Sequence, residues 1–215
     1  MESQATLKTI RQESQKIGVD FSDEAISQIE TYFQELVRWN QKINLTGHKE
    51  ENRIISNLFI DSLAFQKVFK QKTGSSILDV GSGAGFPGLP LKISCPHLFV
   101  TLVEPNLKKV SFLHHIVGIL KLKNVAIEPS RIEDLNKFEE HKKIFDFIFL
   151  KALRFDALLP YVRPFLGKDG KLILSRPKKS RNPGEITGFF VQEEISYFLP
   201  FGFGERVLLV LSPTN

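Results

Sequence analysis

Three glycines at alternate positions mark the place where this chain could bind a ligand. Gly81, Gly83 and Gly85 lie in residues 77–88, which read ILDVGSGAGFPG. Glycine tolerates positive φ and lets a ligand approach the main chain closely. A helix that begins after such a loop directs its free N–H groups at the ligand. The run predicts a strand, a nucleotide-binding loop and a helix, and the alternative is an unusually tight strand–helix turn.

The spacing of the loop and its acidic neighbours favour S-adenosylmethionine (SAM) over a dinucleotide. The pattern is G-x-G-x-G, and Phe86 stands where the dinucleotide fingerprint requires its third glycine. Asp79 precedes the first glycine. Glu104 ends the next predicted strand, where nucleotide-binding folds place an acid for the ribose hydroxyls. A solvated acid at a strand end is the alternative for Glu104. We predict SAM binding by Asp79, Gly81, Gly83, Gly85, Phe86 and Glu104.

The elements around this loop predict an α/β fold. Strand signals fall at residues 77–80, 99–103, 125–128, 145–150 and 171–175, and helix signals at 110–120 and 158–165. Such alternation predicts parallel strands with crossover helices on both faces. Two final strands, at 194–199 and 206–211, are close enough to form an antiparallel hairpin at the sheet edge. This is the outline of a class I SAM-dependent methyltransferase, Rossmann-like and mostly parallel with an antiparallel C-terminal hairpin.

The chain before this pattern predicts helices. Ser22 is a candidate N-cap, and it is followed by an apolar stripe at three- and four-residue spacing. The stripe consists of Ile26, Ile29, Phe33, Leu36 and Val37. A second helix is predicted over residues 54–69, with a junction at 72–75. We therefore predict an N-terminal helical extension, residues 1–73, packed on a SAM-binding methyltransferase domain, residues 74–215.

Two further segments end predicted strands and could contact a ligand. Residues 130–133 follow the strand at 125–128, so Ile132 could pack on the adenine while Glu133 or the main chain hydrogen-bonds its edge. Helix capping is the alternative for Glu133. Lys151 ends the strand at 145–150 and could meet the methionyl carboxylate or a substrate phosphate as a point charge. A merely exposed lysine is its alternative.

Basic residues near the same predicted edge could contact an RNA substrate. The chain of 215 residues has 29 Lys and Arg against 24 Asp and Glu, a net charge of +5. A basic balance suits a polyanion, although many basic proteins bind no nucleic acid. Phosphate contacts are one interpretation of the basic residues and a solvated loop is the other. The candidate substrate-binding residues are Lys151, Arg154, Arg176, Lys178 and Lys179.

Other classes of chemistry have no signal in the sequence. The single cysteine, Cys95, excludes an internal disulfide, and the five histidines lack zinc-ligand spacing. The first twenty residues are polar and unlike a signal peptide, and apolar stretches are too short to span a membrane. No nucleophile elbow or Walker A loop occurs. We expect a cytoplasmic monomer without a metal or a membrane partner.

Taken together, these segments resemble the RsmG/GidB family, the bacterial 16S rRNA guanine-N7 methyltransferases. The resemblance covers nearly the whole chain. It rests on residues 39–46 (WNQKINLT), 61–63 (DSL), 79–88, 108–113 (KKVSFL), 122–125 (LKNV) and 131–133 (RIE). It implies SAM as the cofactor and 16S rRNA or the 30S subunit as the partner. It also implies that Gly81 and Phe86 belong to the SAM loop, with Ile132 and Glu133 on the adenine side.

Three positions depart from the family pattern. Lys151 replaces the arginine of a Ser-Arg-Ala triplet, Leu58 replaces a histidine, and Ser175-Arg176 replaces Lys-Gly. Lysine keeps the charge of arginine but loses its planar fork. The departures fall where substrate is expected to bind, so two alternatives stay open. One is a relative with a diverged RNA or small-molecule substrate, and the other is a SAM-binding RNA-interaction module without turnover.

Overall fold

A computed structural model of the chain describes residues 2–69, 74–135, 144–151, 155–179 and 186–214. Helices occupy the part before residue 70. Their bounds are α1 Glu2–Lys16, α2 Asp23–Ile43, α3 Glu51–Ile54, a π-helix Ile55–Ile60, α4 Asp61–Leu63 and α5 Gln66–Phe69. The predicted division at residue 73 adjoins residues 70–73, which lie outside the described residues, so the division stays a prediction.

Helix α2 begins at the predicted cap, but its buried face is rotated from the predicted stripe. The Ser22 side chain accepts a hydrogen bond from Ala25 N at 3.1 Å, which satisfies a free donor of the first turn. The fully buried positions are Ala25, Ile29, Tyr32 and Leu36, while Ile26, Phe33 and Val37 are half-buried at the edge of the same core. Tyr32, which is not part of the predicted stripe, is fully buried on this face.

The second predicted helix is not one regular α-helix. It begins at Glu51 rather than at residue 54, and a π-helical stretch interrupts it. The Asp61 N–H bonds the carbonyls of Ser56 and Leu58 and passes over Asn57, the partner an α-helix would use. The Asn57 carbonyl is therefore available to another donor.

The strands confirm the predicted class of fold. Their bounds are β1 Ser76–Val80, β2 Phe99–Val103, β3 Val125–Glu128, β4 Phe145–Lys151, β5 Leu166–Pro177, β6 Phe189–Leu199 and β7 Gly204–Pro213. Within the described residues they form one sheet in the order β3-β2-β1-β4-β5-β7-β6. Strands β1 to β5 pair in parallel, and β7 pairs antiparallel with both β5 and β6. The last three strands are longer than predicted, since their exposed ends lack apolar alternation.

The crossover helices cover both faces of the sheet. They are α6 Gly88–Ser94, α7 Leu107–Ile119, α8 Ile132–Leu135 and α9 Leu159–Val162, the last flanked by 3₁₀ turns at Asp156–Leu158 and Arg163–Phe165. One apolar cluster joins the N-terminal helices to α6, α7 and one sheet face, with Tyr32, Phe59 and Phe149 fully buried. A second cluster fills the other face beneath α8 and α9. The N-terminal helices thus share a core with the sheet.

The strand register aligns the carboxyl ends of the parallel strands. Val80 of β1 pairs with Val103 of β2 and with Leu150 of β4. Lys151 pairs with Ser175 of β5. The order reverses between β1 and β4, which makes this edge the topological switch point where ligands bind in open α/β sheets. No helix among the described residues is long and apolar enough to cross a membrane.

Candidate cofactor site

The glycine loop adopts the backbone conformation that its sequence predicts. Gly81, Gly83 and Gly85 have φ of 69°, 60° and 98°. Space does not require a glycine at Gly83, because an added Cβ would meet only Gly81 O at 4.0 Å. At Gly85 a Cβ would lie 2.5 Å from Leu89 Cδ1. The loop is therefore open beside Gly83 and packed beneath Gly85.

Glu104 connects the end of β2 to this loop. Its Oε2 accepts a hydrogen bond from Gly83 N at 2.8 Å, and its Oε1 accepts one from Asn106 N at 2.9 Å. The residue is 5% exposed, which contradicts the interpretation as a solvated acid. Each carboxylate oxygen keeps a second lone pair. Glu104 lies at the predicted edge with acceptor capacity for a pair of hydroxyls.

Asp79 is buried beneath the loop. It is 1% exposed, and its Oδ2 accepts a hydrogen bond from Gly88 N at 2.8 Å, at the start of α6. Burial raises the pKa of Asp79 to about 7, against the opposing effects of the Gly88 N–H and the Lys151 charge. The Asp79 carboxylate therefore holds the main chain at Gly88, where the glycine loop ends and α6 begins.

Phe86 and Tyr32 hold the loop from below. The Phe86 ring is buried and stacks on Tyr32 with the centroids 5.1 Å apart, so the Phe86 main chain rather than its ring is available at the loop. The Tyr32 hydroxyl donates a hydrogen bond to Ala84 O at 2.5 Å. Burial, and then the Asp79 charge, raise the pKa of Tyr32 well above its usual value, so the phenol keeps its proton. Tyr32 belongs to the site.

Residues 130–133, which follow β3, lie at the same edge of the sheet, but Ile132 points into the core rather than toward the predicted adenine. Ile132 is 2% exposed and packs in the core, so its side chain does not face outward to stack on a base. Hydrophobic burial against α9 and the sheet favours this inward orientation. Glu133 is half-buried in the first turn of α8. The Glu133 side chain and the main chain of residues 130–133 remain candidate contacts for the adenine.

The side chain of Lys151 is largely buried rather than exposed. Its side chain is 8% exposed, its Nζ donates to Asn57 O at 2.6 Å, and it lies 3.1 Å from Asp61 Oδ2. The same Nζ lies 6.0 Å from the centre of the Phe86 ring. The interpretation as an exposed lysine is therefore wrong, because an ion pair and a π-helical carbonyl hold the ammonium beside the glycine loop.

The other basic candidates divide by position. Lys178 and Lys179 are exposed just after β5, and Lys178 Nζ lies 2.5 Å from Glu205 Oε1 of the neighbouring strand β7. Arg176 is half-buried on β5. Arg154 lies outside the described residues. The structure brings Lys151 into the site and leaves Lys178 and Lys179 on the surface after β5.

Buried oxygen atoms at this edge fit a ligand that donates hydrogen bonds. In the part of the chain that the structure describes, Asp79 Oδ1, Ser82 Oγ and Ser130 Oγ are buried without a hydrogen-bond partner. Unpaired buried polar atoms are costly, so added donors would stabilise them. Together with the open side of Gly83 and the Glu104 carboxylate, they fit the hydroxyl and amino groups of SAM. Across the described ranges, no group of three or more His, Cys, Asp or Glu is placed to hold a metal ion.

Comparison with a solved structure agrees with the fold. MtNAS, in a crystal structure with MTA and tNA, superposes with a TM-score of 0.61 at 13% identity. The match covers 100% of this chain and 90% of that one.

Comparison with sequences gives the family and confirms the resemblance stated above. Residues 25–189 match the GidB family model, described as rRNA small subunit methyltransferase G. Proteins of that name from Lachnoclostridium phytofermentans and Lactococcus lactis subsp. lactis are 32% and 36% identical. The matches cover 94% and 91% of this chain, and 87% and 86% of the relatives. This chain belongs to the GidB family of small-subunit rRNA methyltransferases.

Proposed function

We propose that this protein transfers a methyl group from SAM to N7 of a guanine in 16S rRNA. The observation that carries the proposal is the positive-φ glycine loop joined to Glu104 at the switch point of a GidB-family chain. The names of the relatives support a small-subunit rRNA substrate. A small-subunit rRNA substrate also supports a cytoplasmic location for the protein. A monomeric state stays a prediction.

The residues at the carboxyl edge are proposed to hold the cofactor. Glu104 would accept hydrogen bonds from the ribose hydroxyls, and the main chain of Gly81, Gly83 and Gly85 would allow a close approach. Glu133 and the main chain at Ile132 would contact the adenine side. Asp79 and Phe86 would keep the shape of the loop from beneath, and Asp79 Oδ1, which has no partner among the described residues, would accept a hydrogen bond from SAM. When bound, SAM supplies an electrophilic methyl group.

The remaining chemistry is positional. Guanine N7 has a lone pair and no proton, so its attack requires no base. The protein's task is to bring N7 into line with the methyl group, since alignment alone lowers the barrier by several kcal/mol. The described site fits this task, because its buried residues form a fixed frame around the loop.

The RNA is proposed to approach the surface around the hairpin that joins β6 to β7. The exposed Lys178 and Lys179 lie after β5, and Phe201 at the hairpin tip is 44% exposed. The Arg53 guanidinium lies 5.2 Å from the centre of the Phe203 ring. Cations and aromatic rings together suit phosphates and unpaired bases. Because N7 lies in a deep, narrow groove of duplex RNA, the target guanine is expected in an unpaired region.

A transfer assay with methyl-labelled SAM tests the proposal. Label should enter 16S rRNA, either as naked RNA or within 30S particles purified from cells that lack the modification. Label in small metabolites and none in RNA would favour a diverged substrate. Saturable SAM binding without transfer to any of these would support the non-catalytic module, and either result would contradict the proposal.

A further inference from the structure

A buried ionic cluster lies next to the glycine loop. The Asp61 carboxylate is 1% exposed and receives a hydrogen bond from the Tyr197 hydroxyl at 2.5 Å. The guanidinium of Arg206 presents two nitrogens to it, Nε 3.4 Å from Oδ1 and Nη2 3.4 Å from Oδ2. Lys151 Nζ lies 3.1 Å from Oδ2. Three side chains, from β4, β6 and β7, thus meet at the Asp61 carboxylate of α4.

The cluster has a second layer that fixes its geometry. Ser175 Oγ lies 3.3 Å from both the Tyr197 hydroxyl and Arg206 Nη2. Burial, and then the Asp61 charge, raise the pKa of Tyr197 well above its usual value, so the phenol stays a neutral donor. Ser175 is one of the departures from the family pattern, and in this chain Arg206 extends from β7 into the neighbourhood of that position.

The π-helix provides a second anchor for Lys151. The Asn57 carbonyl, passed over by the Asp61 N–H, accepts a hydrogen bond from Lys151 Nζ at 2.6 Å. An ammonium has three donors, and Asn57 O and Asp61 Oδ2 use two of them. The third has no hydrogen-bond acceptor in the ranges of the chain that the structure describes. The Phe86 ring, 6.0 Å away, shows that this ammonium lies beside the cofactor loop.

The charge balance of the cluster favours an anionic ligand. Among the side chains of the cluster, Asp61 contributes one negative charge, and Lys151 and Arg206 contribute one positive charge each, so the positive charges exceed the negative by one. Asp79, whose pKa the Lys151 charge lowers, is an acid outside the cluster that also faces this ammonium. A buried charge without a partner is costly, and an anion beside Lys151 would neutralise it. The Lys151 side chain is only 8% exposed, which favours a small carboxylate over the bulkier phosphate of an RNA backbone as its ligand.

We propose that Asp61, Tyr197 and Arg206 are positioning residues that hold the Lys151 ammonium for the methionyl carboxylate of SAM. The inference rests on the proposed function, because it assigns one group of the proposed cofactor. It gives Asp61 a role through Lys151 rather than a direct contact with the reacting atoms.

The test compares SAM with decarboxylated SAM, which keeps the sulfonium, the adenosine and the amino group. Isothermal titration without RNA gives the ratio of the two dissociation constants. We expect the wild-type protein to prefer SAM by at least tenfold, Lys151→Met to abolish the preference and Lys151→Arg to keep it within about threefold. Tyr197→Phe should reduce the preference severalfold, because it loosens the hold on Asp61 without changing a charge. Asp61→Asn also removes the anchor of the ammonium, but it adds to the positive charge of the cluster, so the tyrosine variant is the deciding one. The tyrosine variant keeps every charge of the cluster, so it tests the inference even where Asp61→Asn does not fold.

Asp146→Asn is the matched control. Asp146 lies at the opposite end of β4, and its Oδ2 accepts hydrogen bonds from Ser76 N at 2.9 Å and Ser76 Oγ at 3.0 Å. A purely structural role predicts that Tyr197→Phe behaves like this control, with both ligands weakened equally and the ratio unchanged. An unchanged ratio in Lys151→Met or Tyr197→Phe would overturn the inference while leaving SAM binding intact. A wild-type protein that binds neither ligand would contradict the proposed function itself.

Discussion

At the scale of single residues, the site depends on groups that are buried rather than exposed. Asp79 and Glu104 are 1% and 5% exposed, and the side chain of Lys151 is 8% exposed. Each forms a hydrogen bond with the main chain: Asp79 with Gly88 N, Glu104 with Asn106 N and Lys151 with Asn57 O. The sequence pointed to Asp79 from its place just ahead of the first glycine, and to Glu104 and Lys151 from their places at the ends of strands. It could not predict the buried partner of Lys151, because Asp61 lies 90 positions earlier in the chain.

Asp79 should make the stability of the ligand-free protein depend on pH. Its pKa is raised by burial from 3.8 to about 7, so the folded state binds more protons than the unfolded state between those values. Stability therefore falls as the pH rises through this window, by about 3 kcal/mol between pH 4.5 and 8. Asp79→Asn resembles the protonated form and should remove this contribution. Urea unfolding of both proteins across this range measures it, and parallel curves would contradict the pKa assignment.

Gly85 should tolerate no side chain. A Cβ at this positive-φ position would lie 2.5 Å from Leu89 Cδ1 and 2.9 Å from the Tyr32 hydroxyl. We expect Gly85→Ala to destabilise the fold by about 3 kcal/mol and to weaken SAM binding, from strain and overpacking together.

Gly118→Ala is the control for Gly85→Ala. An added Cβ at Gly118, within α7, has nothing within 4 Å. This change should stabilise the fold by about 0.5 to 1 kcal/mol. Thermal unfolding and SAM titration check both variants, and a fully stable Gly85→Ala protein would disprove the packing described beneath the loop.

At the scale of elements, the strands that carry the site were predicted more closely than the helices. β1, β2 and β3 match their predicted bounds within one residue, because each is a short, mostly apolar run with abrupt ends. Helix α1 was described only as part of a helical region, and the π-helix was not foreseen. A π-helical turn depends on which carbonyl finds a tertiary partner, here Lys151.

Helix α2 should influence cofactor binding through one hydroxyl. Tyr32→Phe keeps the ring stacked on Phe86 but removes the hydrogen bond to Ala84 O. Loss of this bond should cost about 1 kcal/mol of stability and raise the dissociation constant for SAM severalfold, because the loop loses a support. Thr31→Ala is the control, since the Thr31 hydroxyl bonds Ser27 O on the same helix. Equal SAM affinity in the Tyr32→Phe and Thr31→Ala proteins would show that SAM binding does not depend on the hydrogen bond from Tyr32 to Ala84 O.

At the scale of the whole molecule, the N-terminal helices complete the site. They supply Tyr32, Asn57 and Asp61 to an edge whose loops come from the sheet. Sequence periodicity reports which face of an element is buried, but it does not report which elements meet. The α/β class, the C-terminal hairpin and the loop were therefore predictable, whereas the contacts that link residues 32–61 to the sheet required the structure.

The most direct measurement is to map the base that this protein methylates. 16S rRNA or 30S particles that lack the modification are incubated with the protein and SAM, cleaved at N7-methylguanine, and read by reverse transcription. The account predicts one new stop at a single guanine in an unpaired region, present with wild-type protein and absent when SAM is omitted. RNA that gains methyl groups on another atom or on another base, or that gains none, would contradict it.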